Sequence, residues 1–88
     1  MKLIYTKSIL KDVRKIKDKK LITKIETLID DMKKMSSIEE LHALKKMVGP
    51  PLAYRIRIGD YRLGIYCENE TITLVRFVKR NDIYKVFP

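Results

Sequence analysis

The sequence predicts an α+β fold: one small domain, residues 1–88, in which two helices pack on one face of an antiparallel sheet formed by an N-terminal strand and a C-terminal three-stranded meander. Three observations carry this reading. Apolar residues recur at helical spacing from Ile9 to Met35. From Ala53 to Val78 the composition shifts to Tyr, Ile, Val and Phe, with alternation of period two. Between the two regimes stand Gly49, Pro50 and Pro51, which end any helix arriving from the N-terminal side, because proline lacks an amide hydrogen and pushes the preceding residue out of helical geometry.

In chain order, Lys2 to Tyr5 (K-L-I-Y) is a short strand. Thr6 or Ser8 caps the helix that follows, where Ile9, Val13 and Ile16 recur at four and three residues and Lys7, Lys11, Arg14 and Lys15 lie largely opposite. Asp18 caps a second, longer helix, in which Leu21, Ile25, Leu28 and Met32 repeat at four, three and four, flanked by Ile22, Ile29 and Met35. Ser37 and Glu40 stand at capping-box spacing and predict a short third helix through about Leu41 to Leu44, with His42 exposed on it. Gly59-Asp60 and Asn69-Glu70 are two-residue hairpin signals, the first suited to a type II′ turn, and they delimit strands over 53–58, 61–68 and 71–78. A brief segment from Arg80 to Pro88 follows.

Net charge is +9 with a pI near 9.8, which favours nucleic acid, an anionic surface or an acidic protein as partner. Cys67 is the only cysteine, so neither an intramolecular disulfide nor a cysteine-based zinc site forms; in its strand it reads as a small buried hydrophobe. Met1 to Thr6 is too short for a signal-peptide core and no apolar run approaches membrane-spanning length, so a soluble cytoplasmic protein with no membrane partner is expected.

The most specific stretch is Tyr54 to Tyr66, Y-R-I-R-I-G-D-Y-R-L-G-I-Y. Side chains two apart on a strand share a face, so Tyr54, Ile56 and Ile58 point one way and Arg55 and Arg57 the other, with Arg62 in cross-strand reach. Arginines are rarely buried without partners, so this face is expected to be the one the helices leave partly open. Three guanidiniums on one face repel unless an anion lies between them, and Arg is shaped for paired donation to phosphate. The competing reading is a set of ion pairs with Asp60, Glu68, Glu70 and Asp82, which the strand-borne arginines outnumber. Most helical lysines read as a solvated face, while Lys45 and Lys46, before the proline pair, extend the basic surface.

Arg80 and Tyr84 are four apart, so a helical turn from Asn81 onward sets them on one face at the end of the third meander strand. Cleaving RNA without a metal requires a base for the 2′-OH, a donor for the departing 5′-oxygen and positive charge for the phosphorane. Tyrosine surrounded by cations suits the first role; as a plain packing residue Tyr84 needs no such company.

The run Y-R-I-R-I-G-D-Y-R-L-G-I-Y, with I-T-L-V-R-F-V and the ending K-R-N-D-I-Y, resembles the RelE/ParE superfamily of toxins from type II toxin-antitoxin systems. The resemblance implies a RelE-like fold and a ribosome-dependent endoribonuclease that needs no cofactor. Such an enzyme cuts mRNA in the A site, leaving a 2′,3′-cyclic phosphate and a 5′-hydroxyl. It implies that Arg57 stabilises the transition-state phosphate, that Arg80 acts as acid or charge stabiliser, and that Tyr84 is the base. Arg55 and Arg62 would position the substrate backbone, and Arg76, Lys79, Lys45 and Lys46 would add phosphate contacts. Arginine stands where relatives carry strand lysines, and Lys79 where many carry histidine, which leaves the general acid open between Arg80 and Lys79. The implied partners are mRNA on the ribosome, ribosomal RNA, an acidic cognate antitoxin, and operator DNA through the toxin-antitoxin complex. Three rivals stand beside this reading: a gyrase-directed branch, which Arg80 with Tyr84 argues against, a plain RNA-binding module, and an inactive relative that binds only antitoxin and operator DNA.

Overall fold

The computed structural model describes residues 1–41 and 52–88 and the backbone of 44–46. Strand β3, Leu52–Ile58, turns at Gly59-Asp60 into β4, Tyr61–Glu68, which turns at Asn69-Glu70 into β5, Thr71–Lys79, each pair antiparallel. Gly59 takes φ +58°, and at the second turn Asn69 (φ +51°) and Glu70 (φ +61°) both enter the left-handed region. Left-handed residues give two-residue loops the twist that matches their flanking strands. Both predicted turns are present.

The N-terminal strand, β1 (Lys2–Tyr5), joins the sheet beside β5 but runs parallel to it, from Lys2 opposite Thr71 to Tyr5 opposite Leu74. The sheet is therefore mixed, where the sequence suggested an antiparallel one. No hairpin binds β1 to a neighbour, so the helical crossover that follows it permits a parallel partner. Leu44–Lys46 forms a further strand, β2, antiparallel to β3, and the order among the described residues is β1-β5-β4-β3-β2.

β2 replaces the end of the expected third helix, which is a single 3-10 turn at Ile38–Glu40. Its capping box exists. Ser37 accepts from the Glu39 amide, and the Glu40 carboxylate accepts from the Ser36 hydroxyl and the Ser36 and Ser37 amides, bonds that hold its pKa below the usual value. A box starts a helix but does not prolong one, and no apolar helical repeat follows it. His42 and the Gly49-Pro50-Pro51 break lie outside the described residues.

Helix α1 spans Lys7–Arg14 and α2 spans Lys19–Lys34. Of the two candidate caps for α1, Thr6 serves: its hydroxyl accepts from the Ile9 amide and also donates to the β5 carbonyls of Leu74 and Val75, tying the helix start to the sheet. Asp18 caps α2 as expected, accepting from the amides of Lys20 and Leu21. Ile9, Leu21, Ile25 and Met32 bury against Tyr54, Ile56, Leu63 and Phe77, each large aliphatic contributing about 1.5–3 kcal/mol.

The opposite face is not left bare. Arg80–Val86 forms a third helix, α3, and a second, smaller core forms where Ile83 and Phe87 meet Ala53, Tyr66, Val75 and Val78. None of the helices among the described residues is long and apolar enough to cross a membrane.

Candidate functional site

Period-two alternation divides β3. Tyr54, Ile56 and Ile58 enter the main core, while Ala53 packs toward α3 and Arg57 is exposed on that side of the strand. In register, Arg57 stands directly opposite Arg62, and Arg55 opposite Gly64. The three arginines thus share the α3 face, as the sequence predicts. Arg62 folds back on the turn, donating to the carbonyls of Gly59 (3.0 Å) and Tyr61 (2.9 Å).

None of Asp60, Glu68, Glu70 or Asp82 pairs with these arginines; among the described residues the one ion pair joins Arg76 to Asp12. Arg57 and Arg62, opposite each other in register and without a carboxylate among the described residues, concentrate positive charge at this end of the sheet.

Arg55 differs from its neighbours. Its guanidinium lies over the Tyr84 ring, 4.6 Å from the centroid, and its Nε is buried without a hydrogen-bond partner among the described residues. The stacking contributes about 0.5–2 kcal/mol. Tyr84 itself is 58% exposed.

What sets Tyr84 there is the seating of α3. The Arg80 amide donates to the Asp60 carbonyl (2.8 Å), fixing the helix start to the β3–β4 turn. At the other end Phe87 lies on β4, its ring 5.1 Å from that of Tyr66. Gly64 makes room for it, since a Cβ there would stand 2.6 Å from the Phe87 ring. Arg80 and Tyr84, one helical turn apart, then lie on one side of α3 near the arginine pair.

Gly64→Ala is accordingly expected to unseat Phe87 at a cost of about 1–3 kcal/mol. Amide hydrogen exchange in 80–87 would quicken while that of α1 and α2 stays unchanged, which separates local loosening of α3 from global unfolding.

The remaining predicted residues divide. Arg76 is turned away toward α1: Nε and one terminal nitrogen hold Asp12 at 2.7 and 3.2 Å, and the same carboxylate accepts from the Phe77 amide at 2.9 Å. The structure does not bring it into the cluster. Lys79 is exposed at the end of β5, immediately before Arg80. Lys45 and Lys46 occupy β2 positions in register with Arg55 and Tyr54. Cys67 is buried, and burial pushes its thiol pKa up, as suits an inert packing residue. Burial also raises the Tyr54 phenol, with smaller contributions from Cys67 and Glu39, which makes Tyr54 a poor base.

Sequence reasoning missed Gly64 and Phe87, though a glycine inside a strand pattern is a signal of close approach by another group.

A family model described as the ParE toxin of type II toxin-antitoxin systems matches residues 3–84. Toxin RelE3 of Methanocaldococcus jannaschii is 33% identical over 89 residues, covering all of both chains. Among solved structures, a RelB-RelE antitoxin-toxin complex from Methanococcus jannaschii aligns with TM-score 0.81 and 29% identity over 97% of this chain and 99% of that one. An archaeal RelE-RelB complex from Pyrococcus horikoshii OT3 shares the fold, with TM-score 0.74 and 19% identity over 90% and 93% of the two chains.

Proposed function

The chain belongs to the RelE/ParE superfamily of type II toxin-antitoxin toxins, and we propose that it is an endoribonuclease that cuts mRNA in the ribosomal A site. The observation that carries the reading is the facing Arg57–Arg62 pair, without a carboxylate, on the same sheet face as a tyrosine held under Arg55.

In this reading the scissile phosphate sits between Arg57 and Arg62. Tyr84, as phenolate, takes the proton of the 2′-OH, its ring held under the Arg55 guanidinium. The freed O2′ attacks phosphorus, and Arg57 and Arg80 stabilise the charge that builds on the phosphorane. The P–O5′ bond breaks, leaving a 2′,3′-cyclic phosphate. The departing O5′ takes its proton from Lys79 or from water, since arginine stays protonated above about pH 12. No metal enters the scheme.

The partner in the cell is a cognate antitoxin of acidic character, as the RelB complexes of two relatives and the basic face of this chain suggest.

Primer extension on an mRNA translated in a purified system tests the proposal. Discrete cuts within A-site codons are expected, weakened by Arg80→Ala and abolished by 2′-deoxy substitution at the cleaved nucleotide, which removes the nucleophile. Cutting of the deoxy substrate would sink the mechanism. Growth arrest with no cut mRNA would redirect the assignment to DNA gyrase.

A further inference from the structure

Three consecutive carbonyls of the β3–β4 turn hold two of the site's arginines. Arg62 Nη1 donates to the Gly59 carbonyl at 3.0 Å and to the Tyr61 carbonyl at 2.9 Å. The Asp60 carbonyl between them accepts from the Arg80 amide at 2.8 Å. Asp60 thus serves the cluster with its backbone, its carboxylate making no ion pair among the described residues. Both arginines take their places from one exposed two-residue loop.

Packing does not account for the loop. Gly59 and Asp60 are exposed and bury no apolar side chain; the footing of the turn is Tyr61, whose ring lies 5.1 Å from that of Phe77. Gly59 takes φ +58° while Asp60 is not among the left-handed residues, which is the pattern of a type II′ turn. A Cβ at Gly59 would meet nothing within 4 Å, so the glycine is there for its backbone angle alone. The β4–β5 turn makes the same reversal with Asn69 and Glu70, and its carbonyls accept from Lys2 and Thr71, outside the arginine cluster.

The bond pattern also selects the edge that Arg62 turns outward. Nη1 is occupied by two carbonyls, while Nε and Nη2 make no hydrogen bond among the described residues. Those two nitrogens form a two-pronged edge suited to a pair of phosphate oxygens. Arg57 stands directly opposite, and like charges would splay the two side chains; the bonds from Nη1 hold Arg62 against that repulsion. Donors already aimed at a developing charge need no reorganisation during the reaction.

We propose that Gly59 and Asp60 are positioning residues for the cleavage. The left-handed Gly59 aims the carbonyls of residues 59–61 so that Arg62 presents its Nε–Nη2 edge to the scissile phosphate and Arg80 starts α3 beside it. The inference rests on the ribonuclease reading and assigns the geometry of two of its charge stabilisers to one backbone angle.

The test compares Gly59→Val, Gly59→Asn and, at the other turn, Asn69→Val, each well below its Tm. Valine resists the left-handed region and asparagine tolerates it, while the third variant carries its strain away from the site. On translated mRNA Gly59→Val is expected to lower kcat about 10²-fold, the effect of roughly 1 Å of misplacement, with a much smaller change in KM because the rest of the substrate is held elsewhere. Gly59→Asn is expected to recover most of that rate, and Asn69→Val to keep the wild-type rate at a lowered Tm. A second readout needs no cutting: NMR follows the Arg62 Nε–H during titration with inorganic phosphate, and hydrogen exchange follows the Arg80 amide. Gly59→Val is expected to bind phosphate about tenfold more weakly at Arg62, the loss of roughly one charged hydrogen bond, and to exchange the Arg80 amide faster.

A wild-type kcat in Gly59→Val would overturn the inference. So would equal rate losses in Gly59→Val and Asn69→Val, which would show general loosening of the sheet, or equal rates in Gly59→Val and Gly59→Asn, which would show that the backbone angle is not what matters. An Arg62 signal that phosphate fails to move in the wild type would overturn it as well. Turn-dependent phosphate binding by a wild type that cuts no mRNA would support the positioning of the two arginines and remove the ribonuclease reading instead.

Discussion

Tyr84→Phe is expected to slow mRNA cleavage by about 10²- to 10⁴-fold, the range a positioned general base contributes. The change removes one oxygen and keeps the ring, so the Arg55 contact at 4.6 Å survives and α3 retains its seat on Ile83 and Phe87. Tm measured on the same variant separates loss of the base from loosening of α3. Single-turnover cutting on programmed ribosomes is the measurement. The pH–rate profile adds a readout that a packing role would not move, since loss of the base removes the limb that rises with pH. Full activity in the Phe variant would relocate the base, with Lys79 next in line.

Asp12→Ala is expected to be strongly destabilising for a single polar change. The carboxylate is 5% exposed and holds both the Arg76 guanidinium and the Phe77 amide on the stretch of β5 that continues past the end of β1. Truncation leaves a buried N–H unsatisfied and a partly buried guanidinium alone, for which about 3 kcal/mol is a reasonable sum. For a domain of this size that lowers Tm by roughly 12–24 °C. Urea denaturation of Asp12→Ala, Arg76→Met and the double variant closes a thermodynamic cycle. If the carboxylate matters through Arg76, the double variant recovers part of the loss; if the Phe77 amide dominates, it does not.

Local chemistry was legible in the sequence, and distant pairing was not. Thr6, Asp18 and the Ser37/Glu40 box act as caps because a cap needs only its next few residues. The two hairpin turns and the facing of Arg55 and Arg57 follow from single residues and a period of two. By contrast, the Arg76–Asp12 pair spans 64 residues, and nothing near either one announces the other. β2 has three residues, too few for any alternation to register, so the preceding capping box won the assignment. The open sheet face was expected from helix count, yet α3 covers part of it through Ile83 and Phe87, whose spacing of four was too short a pattern to read as a packed helix.

The parallel pairing of β1 with β5 has a temporal side. Lys2 and Thr71 are 69 residues apart (71 − 2), and closing so long a loop sets a slow, non-local step in folding. During synthesis β1, α1 and α2 emerge with no sheet to cover, and Arg80 and Tyr84 follow only after β5. A growing chain thus displays its helical lysines well before Arg55 and Tyr84 can meet. The arginine face and Tyr84 come together only once α3 is free to dock on β4.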